Sequence, residues 1–453
     1  MIPILQLALP YLLVLYFVVR GIKQPIYWMA IPFLMFMSES IFFENAKIFN
    51  FPGRLHYALM LVWLGVLWLC SIIFKRYDEN KFRNTQSLNV LDFFVLSLMI
   101  LSFIGLGTTF VGFSDLTDIV KEFVVIVSLF VAYFIIKFWI SNSTPDLLEK
   151  FLLSIVVVNS IAAILYILHQ GLHIRIYQSE EYLTEVFAGE EITRTFWFMP
   201  QFLFFSIAFC MVMRKKRLFL YTVLLLINLL ATFITYFRSF SIIAVLIFIT
   251  YFVLVGLKRG RLGVVLKNLF LFSLFAALFF FMLLKIFPAN TKYFLDRFSE
   301  ITTPKLSNEP NNLDVRFSNT GIIIANIPDS KKIIGMGSVT ENQMPWVSYM
   351  RLITADMVWT GVIFRWGFIG LIFFILLYIF GLIKAFFIFM KSDGIIADLA
   401  LIFMIYIFSQ VIQSFIDWTF MSGHGFAIGL WYFAFVSALV GFSKNNELNT
   451  GKA

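Results

Sequence analysis

Three arginines and one aspartate stand where they could act on an anionic substrate. Arg194 lies at the entrance to an apolar segment, Arg238 in a tight turn between two such segments, and Arg316 in a long polar stretch. The planar guanidinium group donates paired hydrogen bonds to phosphate oxygens, so three converging arginines would form a diphosphate site. Asp356 begins the next apolar segment, and a carboxylate over a sugar donor carbon can act as a general base toward an attacking hydroxyl.

A structural role is the alternative for each of these residues. An arginine at a membrane boundary can extend its head to lipid headgroups, and Asp356 can be a helix N-terminal charge favoured by the helix dipole. Arg238 is the hardest to explain in this way, because it is the one charge in its turn and lies on the side that should be poor in Lys and Arg.

Arg365 and His424 are further candidates. Arg365 lies nine residues beyond Asp356, about two and a half helical turns. It could balance a charge inside the bundle or serve as a functional cation. His424 stands between two glycines before the last apolar segment, where a structural or interfacial role is the alternative. The histidines and cysteines have no metal-ligand spacing, so the sequence predicts neither a metal nor a cofactor.

The composition requires a membrane to position these residues. The 453 residues are 60% hydrophobic and 13% charged, and the mean hydropathy is +0.89. A soluble chain carries about 25% charged residues. The formal net charge of +9 comes from short basic clusters between apolar runs, which is typical of cytoplasmic loops and argues against a nucleic-acid partner.

A membrane-spanning helix needs about 20 apolar residues, and the chain has thirteen candidate segments. They are roughly 2–20, 26–44, 57–74, 90–110, 121–140, 151–169, 196–213, 217–237, 239–257, 267–287, 357–385, 395–416 and 425–442. The predicted fold is therefore an all-α polytopic membrane protein with about 12–13 transmembrane helices and one large external, periplasmic loop.

The short loops that carry clusters of Lys and Arg are expected on the cytoplasmic side of the membrane. The predicted organisation is an N-terminal bundle over 1–287 with an external loop at 171–192, a large external loop over 288–356, C-terminal helices over 357–442 and a disordered cytoplasmic tail over 443–453. Within the large loop, 291–301 has the spacing of an amphipathic surface helix, and 313–327 is a second candidate helix that carries Arg316.

An external site has no pool of nucleotide sugars, so a synthetic enzyme there needs a substrate that arrives already activated. Lipid-linked diphosphate sugars meet this need, and their anionic linkage would lie at the level of these arginines.

Four short motifs in this chain have counterparts in a known protein family. They are Thr193-Arg194 through Pro200-Gln201, Thr235-Tyr236-Phe237-Arg238-Ser239, Arg316 followed by Ile333-Ile334-Gly335-Met336-Gly337, and Gly367-Phe368-Ile369-Gly370. In order, spacing and predicted side, the chain resembles the O-antigen ligase/polymerase family of bacterial inner-membrane proteins. At Gln201, Phe237 and Ser239 this chain has residues that differ from those usual in the corresponding family motifs. Asp356-Met357 stands where the ligases have a His-Asn pair, which favours a polymerase-like member.

The resemblance implies metal-independent glycosyl transfer at the outer face of the bacterial cytoplasmic membrane. An undecaprenyl-diphosphate-linked glycan would bind through its diphosphate to Arg194, Arg238 and Arg316, with Asp356 and Arg238 as catalytic residues. Membrane lipid and a chain-length regulator are the other implied partners. Two alternatives stay open: a ligase that moves finished glycan to lipid A-core or another acceptor, and a transporter or flippase of lipid-linked sugars.

Overall fold

The computed structural model is a helical bundle with one small β-hairpin. It describes residues 2–37, 55–73, 88–112, 116–171, 174, 182–187, 190–195, 200–235, 238–286, 291–292, 295, 312–337, 358–414 and 423–450. The N-terminal helices are α1 Ile2–Lys23, α2 Ala30–Met37, α3 Leu55–Ile73, α4 Val90–Gly112, α5 Leu116–Ser141 and α6 Pro145–Tyr166. The remaining helices are α7 Pro200–Met213, α8 Leu218–Ile234, α9 Arg238–Arg259, α10 Leu262–Ile286, α11 Asn312–Asn326, α12 Asp329–Lys332, α13 Val358–Lys391, α14 Gly394–Gln413 and α15 Gly423–Thr450.

The helices confirm that this is a membrane protein. Within the described ranges, six are long and apolar enough to cross a bilayer: Val90–Gly107, Phe123–Ser141, Pro145–His169, Ser239–Arg259, Val358–Lys391 and Gly394–Gln413. Shorter apolar helices accompany them. Each of the thirteen predicted segments overlaps a helix, although the second is a 3₁₀ turn at Pro25–Met29 followed by α2, and its end lies outside the described residues.

Three helices form the centre of the bundle. Most described residues of α7, α14 and α15 are buried, including the large side chains of Phe205, Tyr406 and Trp431. The outer helix α10 has the opposite character, since Phe270 and Leu278 on one of its faces are 71% and 60% exposed. Exposed apolar side chains on a bundle of this composition face lipid, which is the solvent that makes the arrangement favourable.

One end of the bundle collects the basic clusters, and we call it the basic end. Two ion pairs join helix ends there: the Lys215 ammonium lies 2.6 Å from the Asp398 carboxylate, and the Lys216 ammonium lies 2.5 Å from the Glu149 carboxylate. In addition, the Lys258 ammonium donates to the main-chain carbonyl of Ser392 at 2.5 Å. Lysine donors near C-terminal helix carbonyls satisfy groups that the helix itself leaves unpaired. The predicted clustering of the basic loops at one end is confirmed for these helices.

The opposite end, which we call the loop end, carries the long connections. There the amide of Val358 at the start of α13 donates to the carbonyl of Ser414 after α14, at 3.2 Å. The predicted helix over 313–327 is confirmed as α11, and it packs on α13. For the predicted surface helix over 291–301, the structure describes Thr291, Lys292 and Leu295, and the rest lies outside the described residues.

Two sequence interpretations need correction. The predicted loop at 171–192 follows a π-helical turn, Ile167–Gly171, and contains a hairpin of β1 Tyr182–Phe187 and β2 Glu190–Thr195, which adds a small sheet to the predicted all-α fold. Its strands are rich in aromatic and β-branched residues. The tail was predicted to be disordered after 443, but α15 continues to Thr450, because no Gly or Pro interrupts it before Gly451.

Candidate functional site

The structure places the backbone of most of the predicted site residues at the loop end. Arg194 lies in β2, paired with Leu183, rather than at the entrance to a helix, since α7 begins only at Pro200. Arg238 is the first residue of α9. Arg316 lies in α11, and His424 is the second residue of α15. Their side chains, and all of Asp356, lie outside what the structure describes, so the predicted convergence of the arginines stays a prediction.

The loop helix α11 is fixed to α13 by polar and apolar contacts. The hydroxyl oxygens of Thr320 and Thr360 lie 2.8 Å apart, and Thr360 is fully buried. Beside them, Ile323 of α11 and Ile327, the first residue after that helix, pack with Met336 and Ile363 in a small buried cluster. These contacts hold a segment of the large loop on the bundle.

The contact between Thr320 and Thr360 has a consequence for two predicted site residues. Arg316 precedes Thr320 by four residues, about one turn of α11, and Asp356 precedes Thr360 by four residues. Further contacts join Met336 to Phe364 and so advance along both segments in the same direction. Arg316 and Asp356 therefore precede the two contacting threonines by the same number of residues in the sequence, and Asp356 itself lies outside the described residues.

A glycine turn enters a break in α13. The helix is interrupted at Gly367, where φ is 65° and ψ is −167°. The Met336 amide donates to the Phe364 carbonyl at 2.7 Å, and the Gly337 amide donates to the Arg365 carbonyl at 3.1 Å. These loop amides pair with carbonyls that lose their helical partners at the interruption.

Glycine is required on both sides of this contact. Gly335 and Gly367 have φ values of +83° and +65°, which side chains rarely adopt. A Cβ on Gly335 would collide with the Arg365 carbonyl, and a Cβ on Gly367 would collide with the Ile333 carbonyl. The two backbones are therefore in direct van der Waals contact.

The neighbouring helix α4 completes the contact. The Trp366 indole donates to the Ser102 hydroxyl at 2.8 Å, and a Cβ on Gly105 would lie 2.9 Å from the Gly337 Cα. A cavity of about 10 Å³ lies beside Ser102, Trp366 and the partly buried Arg365. That volume is close to what one water molecule needs, so it cannot hold a phosphate group.

No family model, curated protein or solved structure matches this chain. The candidate site therefore rests on its own geometry and on the sequence motifs. Within the described ranges, no three His, Cys, Asp or Glu side chains form a group that could hold a metal ion.

A buried ion pair at the other end of α4 was not predicted. Asp92 is fully buried and accepts hydrogen bonds from Lys137 at 2.5 Å, from Tyr133 at 2.9 Å and from Ser437 at 3.0 Å. It also accepts from the main-chain N–H of Asn89 at 2.7 Å. The Asn89 side-chain oxygen accepts in turn from the main-chain N–H of Leu91 and so caps the first turn of α4. Asp92 and Lys137 are charges inside apolar runs, and that signal could have identified them.

A larger cavity lies near this pair, away from the loop end. It has a volume of about 580 Å³ between α3 and α5, and it is lined by Trp68, Phe134 and Phe138 with Lys137 at one side. Most of its surface is apolar, and the Lys137 charge is paired with Asp92. This lining suits lipid rather than a charged glycan, so we do not assign it to the candidate site.

A polar node ties three helices together in the middle of the bundle. The Asn159 side chain of α6 donates to the Asn228 side chain of α8 at 2.9 Å and to the Ser206 hydroxyl of α7 at 3.1 Å. The Asn228 amide donates in turn to Ser160 at 2.8 Å. Interhelical bonds of this kind fix helix position and register in lipid, which is a structural role.

Proposed function

We propose that this protein is a glycosyltransferase that polymerises undecaprenyl-diphosphate-linked oligosaccharide repeats into O-antigen or exopolysaccharide. The loop end would be the active side, facing the periplasm or cell exterior from the bacterial cytoplasmic membrane. The reaction would need no metal, and its partners would be the lipid-linked glycan, membrane lipid and a chain-length regulator. The motif resemblance supplies the reaction class, and the geometry of the loop end supports it.

One observation carries the proposal further than the sequence did. The contact between Thr320 and Thr360 holds the helix that bears Arg316 against the helix that follows Asp356. A transfer reaction needs a phosphate-binding cation and a base within reach of one substrate. A loop helix fixed to the bundle at this point is the arrangement that such a pair requires.

The chemistry uses the proposed residues in separate roles. Arg194, Arg238 and Arg316 bind the diphosphate and stabilise the charge that develops on it as it leaves. Asp356 takes the proton from the acceptor hydroxyl, whose oxygen then attacks the anomeric carbon. The bond from that carbon to the diphosphate oxygen breaks, undecaprenyl diphosphate departs, and the anomeric configuration inverts.

The test is polymer formation by Arg238→Ala in cells that make the lipid-linked repeat. We expect the long-chain ladder to disappear while the protein still inserts, because a diphosphate-binding cation is lost. Arg217→Ala is the matched control: Arg217 is exposed at the basic end, and its loss should leave the ladder unchanged. An unchanged ladder in Arg238→Ala at normal protein level would refute the role of this arginine.

The ligase alternative differs in its acceptor. Purified protein with lipid-linked glycan and a separate lipid A-core acceptor distinguishes the two. A polymerase makes longer lipid-linked chains, whereas a ligase makes a conjugate with the added acceptor.

The break in α13 favours a second class, a transporter or flippase of lipid-linked sugars, because interrupted helices often form transport sites. Reconstituted vesicles with labelled lipid-linked sugar test this function directly. Movement of the label between leaflets without any change in glycan length would support the transporter and count against the transferase.

A further inference from the structure

The glycine turn and the break in α13 form one structural unit, which we call the joint. It consists of Ile333–Gly337 and Phe364–Ile369, and three main-chain hydrogen bonds connect the two segments. They run from Met336 to Phe364 at 2.7 Å, from Gly337 to Arg365 at 3.1 Å and from Ile369 to Ile333 at 3.2 Å. A main-chain ladder of this kind fixes register, since a shift by one residue would break all three bonds.

Helix α4 packs against the joint, and two of its glycines differ in how closely they approach it. A Cβ on Gly105 would lie 2.9 Å from the Gly337 Cα, closer than real Cβ atoms approach backbone. A Cβ on Gly107, two residues away in the same helix, would have no described atom within 4 Å. The close approach at Gly105 is therefore specific to the joint and is not a general feature of α4.

The joint connects directly to the helix that bears Arg316. The chain passes from α11 through α12 into Ile333–Gly337 in a few residues, and α11 itself touches α13 through Thr320 and Thr360. One attachment lies near the middle of α11 and the other, the joint, begins seven residues after its last residue, so the two together restrict both the position and the direction of α11.

We propose that the joint sets where α11 lies over the start of α13, and that Gly105, Gly335 and Gly367 are positioning residues for the transfer reaction. This inference rests on the proposed function, because the geometry to be held is that of Arg316 relative to Asp356. An added methyl group at Gly105 pushes the turn out of the break, and α11 then loses its fixed register on α13. The glycines themselves do not touch the substrate.

Disulfide formation reports the position of α11 without any assay of activity. The native cysteines, Cys70 and Cys210, are first replaced by alanine, and Thr320→Cys and Thr360→Cys are introduced. The two threonine hydroxyls are 2.8 Å apart, so the cysteines should cross-link readily under mild oxidation. We expect Gly105→Ala to slow cross-linking by about tenfold or more, because overpacking disfavours the packed position of α11 by a comparable factor, and we expect Gly107→Ala to leave it unchanged.

Transfer activity is measured in the same proteins before and after oxidation. We expect reduced Gly105→Ala to elongate lipid-linked glycan poorly, and its oxidised form, with α11 locked by the disulfide, to recover most of the activity. Recovery on oxidation would not occur if Gly105→Ala only impaired folding. Equal cross-linking rates in Gly105→Ala and Gly107→Ala would overturn the proposal, and so would a locked protein that stays inactive.

A less disruptive variant keeps the test decisive if Gly105→Ala does not fold. Ser102→Ala removes the acceptor of the Trp366 indole without adding volume, whereas Ser97→Ala removes a bond within α4 alone. We expect slower cross-linking in the first and no change in the second, and equal rates would count against the joint. If cross-linking behaves as expected but the unmodified protein never elongates lipid-linked glycan, the proposed function fails instead.

Discussion

At the scale of single residues, Asp92 shows how a charge is tolerated within this bundle. Its carboxylate is fully buried, and Lys137, Tyr133, Ser437 and the Asn89 amide all donate to it. Burying two charges is unfavourable by several kcal/mol per ion, so the pair persists through its geometry and its additional hydrogen bonds. Loss of one partner should therefore be more harmful than loss of both.

Lys137→Met tests this directly. It leaves the Asp92 carboxylate buried without its cation, which should destabilise the fold by roughly 3–5 kcal/mol. The double variant Asp92→Asn/Lys137→Met should recover part of that loss. The measurement is unfolding in detergent, with Lys150→Met as the control, because Lys150 is exposed. A Lys137→Met protein as stable as the control would contradict the proposed importance of the pair.

Asp356→Asn tests the proposed general base. The amide cannot accept the hydroxyl proton, so we expect turnover to fall by on the order of 100-fold or more, with donor binding little changed. Initial rates at several donor concentrations separate these effects. A raised KM with unchanged kcat would show that Asp356 contributes to binding and not to proton transfer.

At the scale of elements, the bilayer explains what the sequence could predict. Helices such as α5 and α9 follow from long apolar runs, because a spanning segment must satisfy its own backbone. The interruption of α13 was not predicted, since Gly367 lies within a long segment whose one charge near the glycine is Arg365, and glycine is common in membrane helices. Gly335 and Gly337 were recognised as part of a sequence motif, but the segment that they contact lies on another element, and local patterns do not show such contacts.

Gly367→Ala separates backbone conformation from close approach. Gly367 and Gly394 have similar positive φ values, +65° and +64°, but a Cβ collides with Ile333 at the first position and meets no described atom within 4 Å at the second. Both alanines should destabilise the protein, and Gly367→Ala should do so by at least about 1 kcal/mol more. Equal losses in denaturant unfolding would mean that the joint is not tightly packed.

At the scale of the whole molecule, the two ends differ in character. The basic end is joined by lysines at helix termini, and the loop end holds the hairpin, α11 and the joint. The orientation of these ends in the membrane follows from the positive-inside rule and is part of the proposal.

Cysteine labelling in intact cells tests that orientation. In the chain without its native cysteines, Gly321→Cys lies at the loop end and Asp146→Cys at the basic end, and both native positions are exposed. A membrane-impermeant maleimide should label position 321 in intact cells and position 146 only after permeabilisation. The reverse pattern would place the candidate site in the cytoplasm and remove the argument for a lipid-linked donor.

The most direct measurement is elongation by the purified protein in vesicles that contain undecaprenyl-diphosphate-linked repeats and no other acceptor. We predict a ladder of lipid-linked products that grows with time, and no ladder from Arg238→Ala at equal protein level. A protein that is folded, correctly oriented and supplied with donor, yet leaves the glycan at its starting length, would contradict the account.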